Sequence, residues 1–331
     1  MRSPGSHRTA LITGITGQDG IYLTRLLQDE GCTVVGTASS PAIRGPAGRR
    51  VTAYLPRVAV VSCDVRDRTG MRRLLEAHRP DEVYNLAALS SVALSWAEPA
   101  LTLDVNATAV AGLLDDVLAL RDRTGADIRF FQASSAEVHG SASESPYAQA
   151  KALAEVSVVE YRERHDLHAC FATLHNHESP LRDGRFLTRK VTRAAARIAA
   201  GRPDPLTLGN LAVRRDWGHA RDYVVAMRAM LRTDAPIDLP IGTGVAHSVT
   251  ELVDVAFDAA GVEEPWAHVQ HDESLMRPRD AALIVADPEP ARQAIGWTAT
   301  TSFVELVAQM VHVDQERLRR GVEDDPAYLL R

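Results

Sequence analysis

Tyr147-Ala-Gln-Ala-Lys151 sets a phenol and an ammonium four residues apart, which on an α-helix is a single face. A cation beside a phenol favours the phenolate. Lys151, together with the positive ring of a nicotinamide, is therefore expected to draw the Tyr147 pKa down from about 10 toward neutrality. A phenolate so placed takes the proton of a carbinol while hydride leaves to the ring. Upstream, Ala133-Ser134-Ser135-Ala136-Glu137 closes an apolar run. Ser135 can hydrogen-bond the same hydroxyl, and Glu137 can act as base or acid beside the same carbon. The other reading of the two is a strand-end cap and a solvated carboxylate.

A second cluster supplies a place for that ring. Thr13-Gly14-Ile15-Thr16-Gly17-Gln18-Asp19-Gly20 puts three glycines between an apolar run and an amphipathic stretch. Gly14 permits a tight turn, Gly17 lets backbone approach a pyrophosphate, and Gly20 lets helix and strand pack closely. With Thr16, Gln18 and Asp19 they form the expected dinucleotide turn, whose helix N-terminus offers N–H donors and partial positive charge. The next strand ends Thr37-Ala38-Ser39-Ser40, with no carboxylate to repel a 2′-phosphate, and Arg44, Arg49 and Arg50 follow. This favours NADP, with NAD as the alternative and a solvated loop face as the other reading of the arginines.

The elements that must carry these residues alternate. Strand-like runs at 9–15, 33–38, 58–65, 82–88 and 129–135 are separated by helical stretches, and further helices are expected at 147–165 and 185–201. Residues 41–56, PAIRGPAGRRVTAYLP, read as a surface loop. The alternation predicts an α/β fold, a Rossmann-type doubly wound parallel sheet with a smaller, interleaved substrate-binding region. Residues 1–174 are expected to form the NAD(P)-binding domain, with later returns at about 212–244, and 175–331 mainly a discontinuous substrate-binding region.

At 331 residues with 45% apolar and 24% charged residues, the chain has the make-up of a globular protein rather than a disordered one. A net charge of −6 gives no general attraction to nucleic acid. Cys32, Cys63 and Cys170 are odd in number, widely spaced and fit no metal pattern. No run approaches the roughly 18 apolar residues of a membrane span. The expectation is a cytoplasmic protein without metal, membrane or nucleic-acid partner.

These motifs resemble the extended short-chain dehydrogenase/reductases, and among them the GDP-mannose 4,6-dehydratase family. The resemblance rests on GITGQDG (14–20), YNLAALSSVALSW (84–96), FFQASSAEVHG (130–140), SPYAQAKA (145–152), NHESP (176–180), FLTRKVTRA (186–194) and LGNLAVRRDWGHARDYV (208–224), among others, and covers nearly the whole chain. It implies a nucleotide diphosphate sugar as substrate and a tightly bound cofactor regenerated in each turnover. Tyr147, assisted by Lys151 and Ser135, takes the 4-OH proton as C4 is oxidised; Glu137 removes the C5 proton, water leaves from C6, and hydride returns there. The resemblance further implies Asp64 and Val65 near adenine, and Leu86, Ala87, Ala88 and Ser90 along the cofactor. His177 and Arg182 reach the nicotinamide half and the phosphates. Asn176, Lys190, Arg215 and Arg277, with Ser90 and Gly209, hold the substrate. A homodimer or homotetramer is implied as well. His139, His219 and His247 read as structural. Two departures stand out: Ser39-Ser40 replaces the family's double arginine, and only SASESP separates Gly140 from Tyr147, where relatives carry a longer Pro-rich loop bordering the sugar. The alternatives are another nucleotide-sugar enzyme of the superfamily, an epimerase or atypical dehydratase, and a noncatalytic dinucleotide-binding sensor.

Overall fold

In β1 (Thr9–Thr13) the residues Ala10, Leu11 and Ile12 are all fully buried, so this strand has no polar face and must be covered on both sides. The computed structural model describes residues 8–39, 46–139, 144–202, 205–276 and 281–329, so Arg44 and Arg277 lie outside the described residues. Strands β2 (Thr33–Ala38), β3 (Ala59–Ser62), β4 (Glu82–Asn85), β5 (Arg129–Ala133) and β6 (Ala169–Leu174) join β1 in one parallel sheet. Beyond them β7 (Asn176–Glu178), β8 (Leu206–Leu208), β9 (Arg214–His219), β10 (Leu239–Ile241), β11 (Ala246–Ser248), β12 (Val269–His271) and β13 (Leu283–Ile284) follow. The main sheet runs β10-β6-β5-β4-β1-β2-β3. This is the doubly wound order, whose ligand crevice opens where the chain reverses direction across the sheet, beside β1.

The helices are α1 (Gln18–Asp29), α2 (Pro46–Tyr54), α3 (Arg68–His78), α4 (Val92–Ala97), α5 (Pro99–Leu103), α6 (Ala109–Thr124), α7 (Pro146–His165), α8 (Leu187–Ala199), α9 (Ala220–Leu231), α10 (Val249–Ala260), α11 (Glu289–Ile295) and α12 (Phe303–Arg320). Ala10 and Ile12 point to a core built with Ile21, Leu23 and Leu27 of α1 and Tyr223, Met227 and Leu231 of α9. Leu11 points the other way, to Leu75 of α3, Leu113 and Val117 of α6 and Val158 of α7. After β6 the chain leaves the sheet. β7 pairs with β9, which also pairs with β11 and β13 in a small second sheet. α9 then returns to α1, and β10 adds to the main sheet beside β6. Residues of α8, α10 and α12 enclose a third core around Trp217, Phe257 and Phe303.

One expected loop is a helix. Residues 46–54 form α2, although their Pro, Gly and Arg content reads as irregular. Tertiary contacts decide it: Leu55 at its end is buried, and Arg50 donates to the carbonyls of Thr16 and Leu181. Arg49 and Arg50 both lie 3.7 Å from Asp324. They therefore stand on an anchored helix rather than on a mobile loop.

Candidate active site

The site begins at the end of β1. Thr13 Oγ1 accepts the backbone N–H groups of Leu86 and Ala87, each at 3.1 Å, so its own proton goes to Asn85 Oδ1 at 2.6 Å. Asn85 then donates to Gln132 Oε1 at 2.7 Å, and Gln132 donates to the Ala133 carbonyl at 2.8 Å. Lys151 Nζ donates to that same carbonyl at 2.7 Å. Each amide is fixed in orientation by the one before it, so a single polar line crosses β1, β4 and β5 to the lysine.

Beside this line lies a cleft of about 740 Å³. One wall is the glycine turn with Gly14, Thr16, Gly17, Gln18, Asp19 and Gly20; the others hold Ser39, Leu86, Ala87, Ala88 and Ser90 and then Ser135, Glu137, Tyr147 and Lys151. Asn176, His177, Arg182, Gly209 and Arg215 complete it from the second half of the chain. Asp64, Val65 and Lys190 do not line it. The Asp64 carboxylate is held by Arg66, Val65 is buried behind the end of β3, and Lys190 Nζ donates to the Thr207 carbonyl at 2.6 Å. The Gln18 amide is turned to the facing segment: it donates to the His177 carbonyl and accepts from the Ser179 hydroxyl.

α7 carries Tyr147 and Lys151 because Ser145 caps it and Pro146 opens it. Both side chains are buried, and Nζ lies 6.0 Å from the phenol ring centre. Burial holds the Lys151 ammonium down to about 8, with Glu155 pulling the other way. Tyr147 departs from expectation. Burial raises its pKa, the neighbouring Glu137 raises it further, and the Ser135 hydroxyl and Arg182 draw it down. In the protein alone desolvation outweighs the Ser135 hydroxyl and the Arg182 guanidinium. Ser135 caps the turn after β5, its Oγ accepting the Glu137 N–H at 3.2 Å, and it also bonds the Tyr147 phenol.

Glu155 went unread in the sequence. It lies one turn beyond Lys151 on α7, accepts from the Ser134 hydroxyl, and its charge supports the ammonium. The i, i+4 spacing from Lys151 was the signal that could have found it. Phe186 is another: its ring carries the Arg182 guanidinium at 3.5 Å, fixing that cation at the rim. His219 serves the fold. It caps α9 by accepting the Arg221 N–H, meets Gln309 with its other nitrogen, and burial lowers its pKa to about 4.

The glycine turn fits the diphosphate of a dinucleotide. Gly14 has φ +67° and backs onto Ala87, while a side chain at Gly17 would project with only the Gly14 carbonyl near it, into the space a phosphate needs. Asp19, in the first turn of the helix, also lines the cleft, and its Oδ1 is buried without a hydrogen-bond partner among the described residues.

The strand order, the glycine turn and the Tyr147–Lys151 helix define a Rossmann-type dehydrogenase/reductase fold whose cleft is lined by residues from both halves of the chain. The description "GDP-mannose 4,6 dehydratase" belongs to the family model that matches residues 11–310. The chain belongs to the GDP-mannose 4,6-dehydratase family. GDP-mannose 4,6 dehydratase 1 of Arabidopsis thaliana is 39% identical, covering 95% of this chain and 91% of the relative. The human GDP-mannose 4,6 dehydratase is 36% identical over 94% and 92%. Among solved structures, MoeE5 in complex with UDP-glucose and NAD superposes with a TM-score of 0.79 at 25% identity, covering 94% of this chain and 99% of that one. The dTDP-glucose 4,6-dehydratase DesIV of Streptomyces venezuelae shares the fold, with a TM-score of 0.80 at 22% identity over 95% and 98%.

Proposed function

We propose that the chain is a nucleotide-sugar 4,6-dehydratase that converts GDP-mannose to GDP-4-keto-6-deoxymannose. The observation that carries this is the convergence of Ser135, Glu137, Tyr147 and Lys151 on one cleft whose opposite wall is the glycine turn. A nicotinamide dinucleotide, NADP in preference to NAD, would be held by that turn and by Leu86, Ala87, Ala88 and Arg182, and when bound it supplies the acceptor and later the donor of hydride. Tyr147 takes the proton of the sugar's 4-hydroxyl, which Ser135 orients. Lys151 holds positive charge behind the phenol at a distance fixed by Ala133. Once C4 is a ketone, the C5 proton is acidic, and Glu137 removes it and assists the departure of the C6 hydroxyl as water. Asn176, Gly209 and Arg215 hold the nucleotide diphosphate, where the Arg215 guanidinium suits a phosphate. Residues 1–174, with α9 and β10, serve the cofactor, and most of 175–331 serves the substrate.

Glu137 separates this reading from 4-epimerisation, which needs no carboxylate beside the phenol. The test is product mass after incubation with a panel of GDP-, UDP-, CDP- and dTDP-sugars. Loss of water from GDP-mannose supports the proposal, and an isomer of unchanged mass overturns it. Trp96, Leu103, Leu153 and Val156 stand exposed on helices α4, α5 and α7, which pack on one another, and a second copy of the chain is the proposed cover. Sedimentation of the whole chain as a monomer would overturn that. No helix among the described residues is long and apolar enough to cross a membrane. The proposed compartment is the cytoplasm, where Cys32, Cys63 and Cys170, free here, stay reduced.

A further inference from the structure

Both ring nitrogens of His177 face acceptors. Nδ1 lies 2.8 Å from the His175 carbonyl oxygen and Nε2 lies 2.9 Å from Asp19 Oδ2. A neutral imidazole has one N–H and can serve only one of them; the imidazolium serves both. The ring is also stacked on Tyr223 with centres 4.7 Å apart, and an aromatic face attracts a cation.

We propose that His177 is a positioning residue held as an imidazolium, whose charge cancels the Asp19 carboxylate in the first turn of α1 and keeps that end of the cleft receptive to a dinucleotide diphosphate. This rests on the reading of the cleft as a nicotinamide dinucleotide site. The logic is electrostatic. A helix N-terminus attracts anions, but a bare carboxylate in its first turn repels a second one. Asp19 Oδ1 is buried and unpartnered among the described residues, so His177 is the hydrogen-bond partner that this carboxylate has.

The groups facing the ring are Asp19 from α1, Tyr223 from α9, and His175 and Arg182 from either side of β7; Glu178, next along β7, is turned to Thr188 and Arg182. Burial and Arg182 work against the charge on His177. The Asp19 carboxylate and the His175 carbonyl outweigh them, and the pKa is held above the ordinary histidine value. Burial pushes His175 the other way, toward the neutral form. A raised histidine keeps its proton below its own pKa and loses it as pH rises, so the effect on cofactor affinity disappears toward alkaline pH.

Two measurements on the whole chain test this. NMR titration of the His177 ring in cofactor-free protein should find it charged at neutral pH in the wild type and neutral in Asp19→Asn; a neutral ring in the wild type overturns the inference. Fluorescence titration with NADP should find affinity weakening about tenfold as His177 deprotonates, within the usual range for coupling between two sites. Asp19→Asn should lose that component. Lys151 shares the cleft, titrates near 8 and contributes to both profiles, so the difference between them is the quantity measured. Equal pH slopes overturn the inference alone, whereas failure to bind dinucleotide at any pH overturns the reading of the cleft as well.

Discussion

Lys151 and Gln132 donate to one oxygen, the Ala133 carbonyl, at 2.7 and 2.8 Å. The acceptor therefore stays satisfied if the ammonium is removed, while the cost of burying that ammonium disappears.

Lys151→Met should therefore stabilise the protein as it abolishes turnover. Holding the ammonium at about 8 instead of 10.5 costs the folded state up to about 3 kcal/mol at neutral pH. The sign follows from linkage. The penalty is present in full below the folded pKa and vanishes as pH rises toward the ordinary lysine value, so the advantage of the variant should shrink across that window. Denaturant unfolding at neutral and alkaline pH measures it. A variant less stable than wild type at neutral pH would mean that the ammonium holds the site together.

Tyr147→Phe should abolish turnover with cofactor binding nearly intact, because the phenol is assigned to proton transfer and not to anchoring. Retention of more than about a tenth of the wild-type rate, a loss under about 1.4 kcal/mol, would show that another group is the base.

Glu137→Gln separates the two halves of the reaction. The variant should oxidise C4 and show reduced-nicotinamide absorbance in stopped flow, yet release little 6-deoxy product. Full-rate dehydration would remove Glu137 from the mechanism.

Asp314 sits between two buried guanidinium groups, 2.7 Å from Arg189 and 3.1 Å from Arg317. Asp314→Asn leaves the two cations to the more distant Glu323, 3.5 Å from Arg189 and 3.8 Å from Arg317, and should cost about 3 kcal/mol. Arg189→Met leaves the carboxylate paired with Arg317 and bonded by Thr192, and should cost less. Thermal unfolding of the two variants gives the ranking; the reverse order would place the main constraint on Arg189.

Cofactor choice should be modest. Arg49 and Arg50 are turned toward Asp324, and Ser39 lines the cleft with a hydroxyl in place of a guanidinium. Comparative titration should find NADP favoured over NAD by less than about a thousandfold, roughly 4 kcal/mol. A larger ratio would require a complete phosphate clamp, and tighter NAD binding would leave the 2′-phosphate unrecognised.

The strands and the glycine turn were legible because buried parallel strands read as short apolar runs and the turn has a fixed residue pattern. Tyr147, Lys151 and Ser135 were legible by spacing. Helix α2 was not, since its composition is that of a loop and the bonds from Arg50 to Thr16 and Leu181 join segments far apart in the chain. The direction of the Tyr147 shift was equally hidden: spacing brings a lysine near, but only packing reveals that burial outweighs the groups that draw the pKa down. The Asp19–His177 contact joins the turn to β7 across 158 positions of sequence, a separation no local pattern encodes.

The facing segment is stitched to the glycine turn by Gln18 with His177 and Ser179, by Asp19 with His177, and by Arg50 with Thr16 and Leu181. A hinge between the two halves would have to break these bonds together before the turn could move away from β7. The cleft is in that sense a slot of set width.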